Sequence, residues 1–306
     1  MSAANEAVKR VTISDIARMH AEGERIPMLT AYDYPTARIL DDAGIPLLLV
    51  GDSVGQVMLG YESTVRVTMD EMLHHTRAVV RGAHRALVIG DMPFLSYSTP
   101  DEATENAGRF LRDAGAGAVK IEGGVRSGRI VDALVKAGIA TMGHIGWTPQ
   151  SQLGMGGKVK VQGKTRDAAR ALLNDALAIQ EAGAFAIVLE LVPEQLAAEI
   201  TARLRIPTIG IGAGAGCSGQ VQVINDLIGF GDFSPRHAKA YADVRGTIDA
   251  AVRAWADDVT AGRFPGAAQS VRMEQAVLDE ALGRSPDDQA VAGEPATASI
   301  PLDRDL

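Results

Sequence analysis

Five short apolar runs in this sequence stop abruptly at an ionisable side chain. PLLLVGDSVG runs into Asp52, ALVIGDMPF into Asp91, GAVKIEGG into Glu122, IATMGHIG into His144 and FAIVLELVP into Glu190. Short apolar runs bounded by Gly or Pro are read as strands buried on both faces, as in a parallel sheet. Alternation with helical stretches predicts an α/β fold, and about eight such units close into a (βα)8 barrel whose strand ends meet at one mouth. The five ionisable groups are therefore expected to converge there.

The rest of the chain fits that plan. Strands are predicted at PMLTAY (27–32), PLLLV, ALVIG (86–90), GAVKIE (117–122), GIATMGH (138–144), FAIVLE, IPTIGIG and VQVIND, the last two separated only by GAGAGCSG, so one crossover helix is reduced or lost. Thr68 with Glu71, and Thr99 with Pro100 and Glu102, are helix starts, followed by apolar faces at helical spacing. Further helices are predicted over 13–20, 34–42, 127–136, 165–182 and 193–204, and a last one from about Ser234 and Pro235 through Trp255. The polar loop LGYESTVRV after Asp52 and the Gly- and Gln-rich loop 146–164 are long enough to cover a site. The barrel with its lead-in is expected over 1–262. Residues 263–306 form an extension, helical over 270–282 and disordered past Gly283.

The 306-residue length suits one barrel plus extensions, and a net charge of -8 argues against nucleic acid as a partner. The lone cysteine, Cys217, excludes an internal disulfide and suits a reducing compartment. Without an apolar leader or a run of about 20 apolar residues, the chain reads as cytoplasmic, with no membrane span.

Asp52 and Asp91, on neighbouring strand ends about 5 Å apart, suit a hard divalent cation, and Glu122 on the next strand completes the set directly or through water. The competing reading is that these carboxylates cap helices or pair with basic residues. Lys120 shares a strand face with Glu122; it would neutralise a substrate carboxylate, form a Schiff base, or pair with Glu122. His144 would bind substrate or move protons, or simply pack. Glu190, flanked by Ile187, Val188, Leu189, Leu191 and Val192, has an apolar setting suited to a general base, or it caps the helix starting at Pro193. GIGAGAG (210–216) lacks the lysine and serine of a phosphate loop and is read as a loop closing the barrel mouth.

Together LTAYDYPTA, LLLVGDSVGQVMLGY, VIGDMPFLSY, AVKIEGG, GHIGWTPQS, VLELVP and IGIGAG with GQVQVINDLIG resemble the ketopantoate hydroxymethyltransferase family over roughly 10–262. The resemblance implies a (βα)8 barrel of the phosphoenolpyruvate/pyruvate type, usually a homodecamer. It also implies transfer of the one-carbon unit of 5,10-methylenetetrahydrofolate to 3-methyl-2-oxobutanoate in pantothenate biosynthesis. Carried over through the motifs, Asp52, Asp91 and Glu122 match a Mg²⁺ site, Ser53, Asp91 and Lys120 match keto-acid contacts, and Glu190 matches the proton acceptor. Asp52 and His144 stand with the substrate-binding set. Ser218 and Ala215 depart from the pattern before GQV, and the tail past about 266 is longer than usual. Two alternatives stay open: a lyase or mutase of the same barrel group, told apart by folate dependence, and a silent keto-acid-binding barrel.

Overall fold

The structure, a computed structural model, describes residues 9–233 and 235–284. It falls into two compact units, 1–245 and 246–306, each taken by itself below.

The first unit is a closed barrel of parallel strands: β1 (Ile26–Thr30), β2 (Leu47–Val50), β3 (Leu87–Asp91), β4 (Ala118–Glu122), β5 (Thr141–Gly146), β6 (Ala186–Glu190), β7 (Thr208–Ile211) and β8 (Gly219–Gln222), with β8 closing on β1. Helices α1 (Ile13–Ala21), α2 (Tyr34–Asp42), α3 (Val54–Val57), α4 (Met69–Gly82), α5 (Pro100–Arg112), α6 (Gly128–Lys136), α7 (Arg166–Glu181), α8 (Glu194–Arg203) and α9 (Ile224–Leu227) stand between or beside the strands. The start signals hold: Thr68 and Thr99 accept the N–H groups of Glu71 and Glu102, and Glu71 returns the bond to Thr68. Each such cap stabilises its helix by about 1 kcal/mol.

The two-residue strand period divides the core into two layers. Leu48, Val50, Val88, Val119, Ile187 and Leu189 face outward and cluster with Phe110, Leu134 and Ile179 of the helices. Leu47, Leu49, Leu87, Ile89, Met142 and Val188 face inward, where Ile16 of α1 joins them. Counting upward in twos along the inner face, Leu87 and Ile89 lead to Asp91, Ala118 to Lys120 and Glu122, Met142 to His144, and Val188 to Glu190. The apolar interior thus ends in a polar top layer at the strand C-termini. On the α4–β3 connection, the buried Asp41 carboxylate accepts the N–H groups of His84, Arg85 and Ala86 at 2.9, 3.0 and 2.7 Å.

Three local expectations are corrected. The path from Asp52 to α4 is not all loop: α3 starts just after Ser53, ahead of LGYESTVRV (59–67), and a 3₁₀ turn spans Thr64–Arg66 within that stretch. β8 is Gly219–Gln222 rather than 221–226, because Thr30 Oγ1 accepts the Ile224 N–H at 2.9 Å and the chain turns into α9. The missing β7–β8 crossover helix is as expected, and Ser218 exchanges hydrogen bonds with Thr208, each 3.2 Å. The last long helix, α10 (Val244–Thr260), begins later than the Ser-Pro signal suggested; residues 235–243 are turns and irregular chain.

The second unit holds most of α10, a 3₁₀ turn at Ala267–Gln269 and α11 (Gln275–Ala281), which is shorter than the expected 270–282. Trp255 and Phe264 meet edge to face at 6.4 Å. The lead-in through Val8, Ser234 and the tail from 285, where disorder was expected, lie outside the described residues. No helix among the described residues is long and apolar enough to cross a membrane.

Candidate active site

The five ionisable strand ends do converge. Asp91 and Lys120 are register partners across β3 and β4, and Lys120 Nζ lies 2.7 Å from Asp91 Oδ1. Asp52 sits two residues past β2, in the turn, and its backbone N–H donates to Asp91 Oδ2 at 3.2 Å. Glu122 and His144 are partners across β4 and β5. The His144 ring bridges the cluster: Nδ1 is 3.4 Å from Lys120 Nζ and 3.5 Å from Glu122 Oε1, and Nε2 is 3.3 Å from Glu190 Oε2. A continuous chain of contacts thus runs from Asp52 through Asp91, Lys120 and His144 to Glu190. Glu190 keeps 16% of its side chain exposed against 4% or less for Asp91, Lys120, Glu122 and His144, so the cluster opens on its side. Ser53 stands at the other edge, with Oγ 2.8 Å from the Tyr32 hydroxyl.

Several competing readings fall away. Neither α3, after Asp52, nor α8, after Glu190, has a side-chain cap, so neither carboxylate is a helix cap. Lys120 pairs with Asp91 on the neighbouring strand; Glu122 on its own strand is turned toward His144.

Sequence reasoning missed Gln150. It lies in a 3₁₀ turn, Pro149–Ser151, and its amide Nε2 donates to Asp52 Oδ2 and to the Met92 carbonyl, both at 2.9 Å, while its backbone N–H donates to Glu122 Oε2 at 3.1 Å. The Tyr97 hydroxyl donates to Gln150 Oε1. The 146–164 loop therefore covers the cluster through one buried amide. No periodicity marks such a residue; its only signal was its place inside GHIGWTPQ.

Four carboxylates face one lysine and one imidazole, and burial makes that imbalance costly. Burial first, then the charges of Asp91 and Glu122, push the Asp52 carboxyl well above its usual range. Burial also raises Asp91, with the Lys120 ammonium only partly offsetting it. Burial alone would lower Lys120, but the carboxylates around it win and hold it as an ammonium. For His144, burial and the Lys120 charge push downward, yet Glu122 and Glu190 outweigh them and raise it to about 9. Among the described residues His144 Nε2 and Glu122 Oε1 have no hydrogen-bond partner, so the ring meets Glu122 and Glu190 as ion-pair contacts at 3.5 and 3.3 Å.

Among the described residues no three His, Cys, Asp or Glu side chains are arranged as a ready metal site. Asp52 and Asp91 form the adjacent pair, the Asp52 N–H donating to Asp91 Oδ2, while Glu122 Oε2 accepts the Gln150 N–H and its Oε1 has no hydrogen-bond partner among the described residues. Two carboxylates with waters form an ordinary donor set for Mg²⁺, and a divalent cation would relieve the surplus negative charge that raises Asp52. By donor chemistry the residues fit that ion.

Sequence comparison gives this geometry its context. The family model described as ketopantoate hydroxymethyltransferase matches residues 10–267. A 3-methyl-2-oxobutanoate hydroxymethyltransferase of Chloroflexus aurantiacus is 61% identical over 277 residues, covering 90% of this chain and 97% of the relative. One from Dehalococcoides mccartyi is 56% identical over 273 residues, covering 89% and 96%. Among solved structures, phosphonopyruvate hydrolase matches with a TM-score of 0.55 at 13% identity, over 94% of this chain and all of the other, and 2,3-dimethylmalate lyase with 0.54 at 17%, over 91% and 98%. The latter two likenesses concern the barrel alone. A barrel whose polar top layer is built from these motifs, with relatives of this identity over nine-tenths of its length, belongs to the ketopantoate hydroxymethyltransferase family of enzymes.

Proposed function

We propose that the chain transfers the one-carbon unit of 5,10-methylenetetrahydrofolate to 3-methyl-2-oxobutanoate, giving ketopantoate by enolate chemistry at the barrel mouth. The observation that carries this reading is the unbroken contact chain from Asp52 to Glu190. Asp52 and Asp91 would hold Mg²⁺, with Glu122 behind a water. Bound there, the ion would polarise the keto oxygen and so acidify the neighbouring C3–H bond. Lys120 and Ser53 would bind and orient the keto acid's carboxylate. Glu190, at the open side of the cluster, takes the C3 proton, while His144 Nε2 fixes the direction in which its carboxylate points. Gln150 holds Asp52 in place and keeps bulk water off the buried acids. Water adds to the folate methylene carbon and both of its C–N bonds break, so tetrahydrofolate leaves and the carbon remains at the formaldehyde level; the C3 carbanion adds to that carbon, and the resulting alkoxide takes the proton that Glu190 removed. Cytoplasmic location and assembly into a homodecamer belong to the same proposal, the latter checked by sedimentation.

The test is proton NMR of 3-methyl-2-oxobutanoate with the protein and Mg²⁺ in deuterated water. The C3 proton should exchange without folate, EDTA should stop the exchange, and ketopantoate should form only when the folate is added. Absence of both exchange and folate-dependent product overturns the reading. Conversion of the keto acid to a different product without folate points instead to the lyase or mutase alternative.

A further inference from the structure

Beside the site, at the same end of the barrel, a cleft of 670 Å³ lies between the ends of β4 and β5 and one face of α7. Ala168, Ala171, Leu172 and Asp175 line it at three- and four-residue spacing, so they share that face, and the two alanines leave it room. Its inner edge is backbone adjoining the site: Gly123 and Gly124 follow Glu122, and Gly146 is the register partner of Glu190. The second glycine is required, because a Cβ at Gly124 would stand 2.0 Å from the Asp175 side chain, whose Oδ1 accepts the Val125 N–H at 2.8 Å.

The outer edge is the loop between β5 and α7. Met155 and Gln162 line the cleft, and the exposed Lys158 and Lys160 lie between them, with Lys164 and Arg166 following. Residues 151–166 carry four basic side chains and no acidic one, in a chain of net charge -8. The volume falls within the range of pockets for drug-sized ligands, far more than a small keto acid needs. A small-residue wall beside the strand that pairs with Glu190, with Arg126 in the lining, Asp175 engaged by the Val125 N–H, and the exposed Lys158, Lys160 and Lys164 on the adjoining loop, suits a ligand with a flat body and an anionic tail.

We infer that this cleft receives the folate: its fused ring and benzoyl group lie against the alanine face of α7, and its glutamyl carboxylates reach toward Lys158, Lys160 and Lys164. This rests on the function proposed above. A folate with more glutamyl residues brings more carboxylates to the same rim and binds more tightly, and salt weakens that preference because the lysines are exposed.

The experiment measures binding of tetrahydrofolate and its triglutamate to the Mg²⁺-loaded enzyme by calorimetry, alongside C3 proton exchange of the keto acid. Ala171→Trp should raise the Kd for tetrahydrofolate at least tenfold while leaving C3 exchange within twofold of wild type, which also shows that the barrel has folded. Lys158→Glu with Lys160→Glu should abolish a several-fold preference for the triglutamate. If wild type exchanges C3 but Ala171→Trp binds tetrahydrofolate undiminished, the cleft assignment is wrong and the transferase reading stands. Equal wild-type affinities for the two folates overturn the assignment of the tail to the lysines. If wild type neither exchanges C3 nor binds tetrahydrofolate, reading and cleft fall together.

Discussion

Gly146→Ala probes how the barrel aims its general base without touching an ionisable group. Gly146 ends β5 with φ +94°, and a Cβ there would stand 2.2 Å from the Glu190 carbonyl oxygen and 2.8 Å from Val192 Cγ2. The unfavourable backbone conformation costs about 1–3 kcal/mol. A carbon–oxygen contact relaxes only near ~3.3 Å, so the end of β6 must retreat by roughly 1 Å. That retreat strains the 2.8 Å bond from the Trp147 N–H to the same carbonyl, at a further cost of about 1 kcal/mol. Urea unfolding should therefore show a loss of about 2–4 kcal/mol. Displacement of a catalytic group by 1 Å costs on the order of 100-fold in rate, and C3 exchange and folate-dependent turnover should fall together, because both use Glu190. A variant within threefold of wild-type kcat and about 0.5 kcal/mol of its stability would show that the β5–β6 contact does not set the position of Glu190.

Two further perturbations address the metal pair and the scaffold. Asp52→Ala should raise the Mg²⁺ concentration for half-maximal activity by tenfold or more, and an unchanged metal titration would show that the ion binds elsewhere. For Asp41, burial pushes the carboxyl up, but the N–H groups of Ala86, His84 and Arg85 more than offset this and hold it below its ordinary 3.8. Its stabilisation is therefore fully present above pH 3.8 and lost as pH falls through the lower folded value. Asp41→Asn should cost about 1–3 kcal/mol at pH 7 in urea unfolding, with the gap from wild type narrowing below pH 4; a gap that does not change with pH contradicts the account.

How much of this was legible in the sequence depends on whether a period carried it. The convergence of Asp52, Asp91, Glu122, His144 and Glu190 follows from strands that end in ionisable residues and from a barrel that brings those ends together, so the five could be grouped before any coordinates. Partners across strands were less legible: Lys120 was set against Glu122, two residues away, whereas the lateral stagger of β3 and β4 delivers Asp91 instead. Gln150 was invisible because a loop residue's reach depends on the whole path of its loop. Boundaries failed where a local signal had two meanings. Ser234 and Pro235 look like a helix start, yet the regular helix begins at Val244, and the Val221–Val223 alternation runs past a strand that the Thr30 side chain brings to an end.

The central claim is that Glu190, held by His144 at the edge of a buried acidic cluster, removes the C3 proton of the keto acid. The most direct measurement compares Glu190→Gln with wild type for keto-acid binding by calorimetry and C3 deuterium exchange by NMR, both with Mg²⁺ and without folate. The account predicts a Kd within a few-fold of wild type and exchange slower by about 10²–10⁴-fold. Exchange at a near-normal rate in that variant would contradict it.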